Sequence, residues 1–162
     1  QIGLHTWHHV SLQGMTREEI AAQLGKTQQT IQAVVGPEEL MLRPPYGFVD
    51  ETLKQWAKTP IVCWSVDTED WKDQNVERIV QTVTQQAEDG DIILMHDLYG
   101  TSADAAVVLI PELKKRGYQL VTVSELIQLR FGDEVEPNRT YNYDYFRFQV
   151  PPLPAETAPA AA

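Results

Sequence analysis

After Met15-Thr16-Arg17-Glu18-Glu19, apolar residues recur at Ile20, Leu24, Ile31, Val34 and Val35. That spacing lines one face of a helix. Thr16 with Glu19 three residues later forms a capping box, and Gly36-Pro37 stops the pattern, so a helix is expected over 16–35. Leu40-Met41-Leu42 is a short apolar run halted by Pro44-Pro45, which reads as a strand feeding a rigid turn. A short helix is expected from Asp50 to Ala57, and the β-branched run Ile61 to Val66 reads as one strand. Val76, Ile79, Val80 and Val83 mark a second amphipathic helix, with Asn75 as its cap and Gly90 past its end. Ile92 to Met95 reads as a buried strand, Ala103 to Arg116 as a helix ended by Gly117, Leu120 to Thr122 as a strand, and Ser124 to Leu129 as a helix.

Strands therefore alternate with helices along most of the chain. That order predicts an α/β fold of parallel strands with crossover helices, as an open sheet or a barrel. Continuous apolar strands such as 92–95 fit burial on both faces. After Gly132 the character changes. Tyr141, Tyr143 and Tyr145 alternate with polar residues, Phe146, Phe148 and Val150 follow, and the end is rich in Pro and Ala. Residues 1–132 are expected to form the domain. Residues 133–162 are expected to be an extended aromatic segment on its surface followed by a linker or tail.

The 162 residues suffice for one domain with a real core. A formal net charge of −10 argues against nucleic acid or an anionic membrane as the main partner. Cys63 is the single cysteine, so no internal disulfide forms. No apolar run approaches the ~18 residues of a membrane-spanning helix. No signal peptide is evident, although the chain opens inside a motif.

All four histidines fall in two short stretches. His5, His8 and His9 share Gly3-Leu4-His5-Thr6-Trp7-His8-His9, and His96 follows Ile92-Ile93-Leu94-Met95. Imidazole is both a common metal ligand and the usual acid or base near neutral pH. The i,i+4 spacing favours His5 and His9 as a ligand pair, with His8 an alternative. Arg43-Pro44-Pro45-Tyr46-Gly47 is a stiff loop suited to aiming a main-chain N–H at a developing oxyanion, and Arg43 can orient a carboxylate. Asp67-Thr68-Glu69-Asp70-Trp71 and Leu94-Met95-His96-Asp97 both follow strands, where α/β folds carry chemistry.

Taken in order, H-[ST]-x-x-H, R-P-P-Y, D-x-x-D-W and L-x-H resemble the NodB-homology polysaccharide deacetylases, the fourth family of carbohydrate esterases. The resemblance covers about residues 1–131. Tyr118-Gln119-Leu120-Val121-Thr122-Val123-Ser124-Glu125-Leu126 looks like that family's closing strand and helix. It implies a distorted (β/α) barrel that removes acetyl groups from glycans with one divalent metal, most often zinc. By this resemblance His5 and His9 are metal ligands, His96 is the general acid and Asp70 tunes it. Trp71 and Leu94 line the pocket for the acetyl methyl, the Tyr46 N–H supports the oxyanion, and Arg43 holds the catalytic base.

The family's T-F-D-D-G motif supplies the catalytic aspartate and a third metal ligand upstream of the histidine pair. It occurs nowhere in 1–162. The expectation is therefore a partial barrel, the C-terminal part of such a domain. Its remainder would come as a separate N-terminal chain or fragment docked non-covalently. The expected substrate is peptidoglycan N-acetylglucosamine, then chitin oligomers, at an extracellular or cell-surface location. The alternatives are an acetylxylan esterase, a non-catalytic glycan-binding module, and a purely structural zinc.

Overall fold

The chain begins with a close approach of two backbones. A Cβ on Gly3 would lie 2.8 Å from the Met41 carbonyl oxygen, so only glycine lets β1 (Gly3–Leu4) lie against β2 (Met41–Leu42) at this register. Between them runs α1 (Arg17–Val35), opened by the expected Thr16–Glu19 capping box. The computed structural model describes residues 1–132, 136, 137 and 139–141. The remaining elements are α2 (Glu51–Trp56), β3 (Ile61–Val62), β4 (Val66–Asp67), α3 (Asp70–Asp73), α4 (Val76–Gln86), β5 (Ile93–Leu94), α5 (Gly100–Lys115), α6 (Val123–Phe131) and β6 (Thr140–Tyr141).

All strand pairs are parallel, in a four-stranded sheet ordered β1-β2-β3-β6 and a two-stranded sheet β4-β5. Together they make a partial (β/α) barrel of mixed α/β class, as the sequence implied. Side-chain alternation gives the larger sheet two apolar faces. Leu4, Leu42 and Ile61 pack with Ile20 and Leu24 of α1 and Leu53 of α2. Met41, Val62 and Tyr141 pack with Ile127 of α6. A third cluster joins Val66 to Ile79 and Val83 of α4 and to Ala105, Leu109 and Leu113 of α5.

Three expectations need correction. The run 61–66 is two strands, because the chain changes sheets within it. The Cys63 N–H donates to the Tyr141 carbonyl, whereas those of Ser65 and Val66 both donate to the Ile92 carbonyl, at 2.9 and 3.1 Å. Two residues facing one partner is the signature of a bulge, which bends a strand. Residues 120–122 form no strand. The Thr122 N–H is taken by the Glu125 carboxylate at 2.7 Å in a second capping box, which starts α6. Tyr141, expected on the surface, is a fully buried residue of β6. The rest of the aromatic run, from Tyr143, and the Pro/Ala tail lie outside the described residues.

A cleft of about 780 Å³ opens between the two sheets, lined by residues including Leu4, Met41, Val62, Ile92, Leu120 and Leu126. It reaches His5, Arg43 and Asp97 at one end. Of the strand 92–95, only Leu94 is buried; Ile92 and Ile93 border this cleft. Among the described residues no helix is long and apolar enough to cross a membrane.

Candidate active site

The histidine motif leaves β1 as a strained turn. Thr6 and His9 both have positive φ, 62° and 53°, a conformation that non-glycine residues adopt at a cost. The turn brings the rings of His5 and His9 to 4.9 Å between centroids and sets His9 5.3 Å from the ring of Tyr46. The His5 Nδ1–H donates to the Arg43 carbonyl at 2.5 Å. A carbonyl only accepts, so Nδ1 carries the hydrogen and Nε2 keeps its lone pair, the arrangement that ligating histidines use. Burial holds the His5 imidazole below its ordinary pKa. The Arg43 carbonyl opposes that shift, and the charges of Arg43, His9 and His96 add to it. A neutral His5 results, as metal ligation requires. His8 is engaged elsewhere: Gln23 bonds its ring nitrogen at 3.0 Å and its backbone N–H at 3.1 Å.

Two imidazoles thus fit a divalent transition metal as a partial donor set. No group of three His, Cys, Asp or Glu side chains able to hold a metal occurs among the described residues. Among the described residues no carboxylate ion-pairs with the Arg43 guanidinium. Burial lowers its pKa, and the charges of Asp97 and Asp70 offset part of that shift.

Tyr46 sits in a single 3₁₀ turn, Pro45–Gly47, at φ 62° and more than half exposed. Gly47 follows at φ +71°, where a Cβ would lie 2.6 Å from Cη2 of Trp64. The indole is therefore a floor on which the Tyr46 turn rests. Sequence reasoning missed Trp64, which looked like an ordinary strand residue.

The other half of the site is a buried polar knot. Asp70 is fully buried, and three hydrogens reach its carboxylate. The His96 Nδ1–H donates to Oδ1 at 2.7 Å, and the His96 backbone N–H and the Ser102 hydroxyl each donate to Oδ2 at 2.6 Å. Burial pushes the Asp70 carboxyl up, but the hydrogen bonds from Ser102 and His96 outweigh it and hold it below the ordinary carboxylate range. Asp70 is thus an anion that can only accept, which fixes the hydrogen of His96 on Nδ1 and leaves Nε2 for chemistry.

Arg78 of α4 clamps the loop that delivers Asp70. Its guanidinium donates to the carbonyls of Thr68 and Glu69, both at 2.8 Å, and pairs with Asp73. The Thr68 hydroxyl, also buried, ties the loop to the Leu94 carbonyl at 2.7 Å. Trp71 on this loop is half exposed, and Leu94 at the end of β5 is buried. Among the described residues neither shares a hydrogen bond or ring contact with the histidine turn. Ser102 and Arg78 were not singled out from the sequence. A serine in a first helical turn and an arginine in an amphipathic helix carry no signal of their own.

Residues 1–60 match the family model described as polysaccharide deacetylase. The chain is 43% identical over 130 residues to the peptidoglycan-N-acetylmuramic acid deacetylase PdaC of Bacillus subtilis, a match covering 80% of this chain and 28% of the relative. It is 36% identical over 141 residues to the peptidoglycan-N-acetylglucosamine deacetylase PgdA of Listeria monocytogenes, covering 87% and 29%. Among solved structures it resembles a family 4 acetyl xylan esterase from Clostridium thermocellum in complex with a cobalt ion. The TM-score is 0.81 at 30% identity, with 88% of this chain and 71% of that one covered. The chain spans under a third of the length of the two curated relatives. In both, the matched segment is part of one longer polypeptide, so the comparisons lend no support to a separately docked N-terminal chain. With its motifs, partial barrel and relatives all in agreement, the chain belongs to the polysaccharide deacetylases of carbohydrate esterase family 4.

Proposed function

We propose that the protein is a metal-dependent hydrolase that removes N-acetyl groups from glycans, with peptidoglycan N-acetylglucosamine as the first substrate and chitin oligomers next. The observation that carries this reading is the buried Asp70 carboxylate, which fixes the proton on Nδ1 of a partly exposed His96. An amide nitrogen must be protonated before it leaves, and a histidine so oriented is the group that does it. A structural zinc site has no need of such a pair.

In this reading His5 and His9 hold one divalent metal, zinc in the first instance. Such an ion, when bound, would lower the pKa of its water towards neutrality and polarise a carbonyl. Arg43 holds the carboxylate base, which is contributed by residues outside 1–162. The Tyr46 backbone N–H meets the oxyanion as water adds to the acetyl carbon, and Trp71 and Leu94 enclose the methyl group. The carboxylate base takes a proton from the attacking water; His96, protonated on both ring nitrogens, gives the Nε2 proton to the departing nitrogen, the C–N bond breaks, and acetate and a free amine result. Peptidoglycan lies outside the cytoplasm, so the protein works extracellularly or at the cell surface. Residues 1–132 serve as the deacetylase part and 133–162 as an appended segment.

The second reading is an acetylxylan esterase, favoured by the likeness to the cobalt-bound xylan esterase. Acetate release from N-acetylglucosamine oligomers, peptidoglycan and acetylxylan, measured with zinc- or cobalt-loaded protein and after chelation, decides the matter. Release from the amide substrates, lost on chelation and restored by metal, is expected. Release from acetylxylan alone favours the esterase, and release from none favours a binding module.

A further inference from the structure

The Asp70 carboxylate takes a hydroxyl from a helix outside the recognised motifs. Ser102 is the third residue of α5, 3% exposed, and its backbone N–H closes the first turn on the Tyr99 carbonyl. Its side chain is committed to Oδ2 of Asp70 at 2.6 Å, the oxygen that also accepts the His96 backbone N–H. Two hydrogen bonds to Oδ2 restrain the carboxylate against rotation and hold Oδ1 in position for the His96 ring. A hydrogen bond to an ionised acceptor is short and strong, and its loss leaves a buried anion under-solvated.

We propose that Ser102 is a positioning residue for deacetylation, which locks the Asp70 carboxylate so that the His96 ring keeps its proton on Nδ1 and its orientation toward the leaving group. Ser102 itself transfers no proton and touches no substrate. The proposal rests on the reading of His96 as the proton donor. It adds α5 to the catalytic apparatus as the element that fixes this donor. Thr101, the preceding residue, is an internal control: its hydroxyl is buried without a hydrogen-bond partner. Removing it takes a hydroxyl from the same turn without touching Asp70.

The test uses the natural full-length protein loaded with zinc and two substrates. One is an N-acetylglucosamine oligomer, whose amine must be protonated to leave. The other is 4-methylumbelliferyl acetate, whose phenolate leaves unaided. Ser102→Ala is expected to lower kcat on the amide by about tenfold or more, the scale of leaving a buried charged acceptor short of one hydrogen bond. KM, metal content and kcat on the aryl ester should stay within about threefold. Ser102→Thr should restore the amide rate, and Thr101→Val should leave both rates unchanged. If Ser102→Ala does not fold, Ser102→Cys, a near isostere with a weak donor, must show the same preferential loss on the amide. Equal losses on both substrates, or no loss on the amide, overturn the role of Ser102. If His96→Ala fails to discriminate between the substrates, the proton-donor reading itself falls, and the role of Ser102 with it.

Discussion

Asp70 is a fully buried carboxylate in the candidate site. Its native pKa is depressed, so its ionised form contributes stability that is present above the unfolded value of about 3.9 and is lost as pH falls through the lower native value. Denaturant unfolding of the wild type and of Asp70→Asn across acidic pH should therefore show a stability difference that shrinks below about pH 4. A constant difference would contradict the anionic assignment. Gly47 makes a second residue-level case. Alanine there must accept a left-handed φ, at a cost of about 1 kcal/mol, and must displace the Trp64 ring. Gly47→Ala should depress turnover by shifting the Tyr46 N–H while leaving metal content intact, as measured by kcat beside metal analysis. The motif residues were legible because their chemistry shows in their type. Trp64, Arg78 and Ser102 were not, because what they do depends on neighbours 17, 10 and 32 residues away in sequence.

At the scale of elements, the helices followed their periodicity and caps, and α1 begins at the capping box expected for it. The strands were harder to delimit. A two-residue strand has no period to read, so β1 and β6 gave no pattern, and the break between β3 and β4 depends on a change of partner that no local sequence reveals. The second capping box, Thr122 to Glu125, is present in the sequence, but the β-forming side chains of Leu120-Val121-Thr122 mask it with a strand pattern. β2 is central to the larger sheet, and its Leu42 is fully buried against α1 and α2 while Arg43 follows directly. Leu42→Ala should cost about 3 kcal/mol of stability by leaving a cavity, as measured by urea unfolding. It should also loosen the loop that carries Arg43 and Tyr46.

For the whole molecule, the fold and the site share one geometry. β1 and β5 present edges that pair with no other strand among the described residues, and the cleft between their sheets reaches His5 and Arg43. Unpaired edges and an apolar cleft are features that native proteins cover. The same opening adjoins two histidines with no third candidate metal-binding side chain beside them, and an arginine without an ion-pair partner, among the described residues. The sequence already carried this picture in the four motifs it holds and the one it lacks. The measurement that tests the account most directly is acetate release from an N-acetylglucosamine oligomer by zinc-loaded wild type and His96→Ala, with bound metal determined on the same samples. The account predicts that His96→Ala keeps its metal and loses turnover by about a hundredfold or more. Wild-type turnover in His96→Ala, or loss of its metal, would contradict the assignment of His5 and His9 to the ion and His96 to the proton.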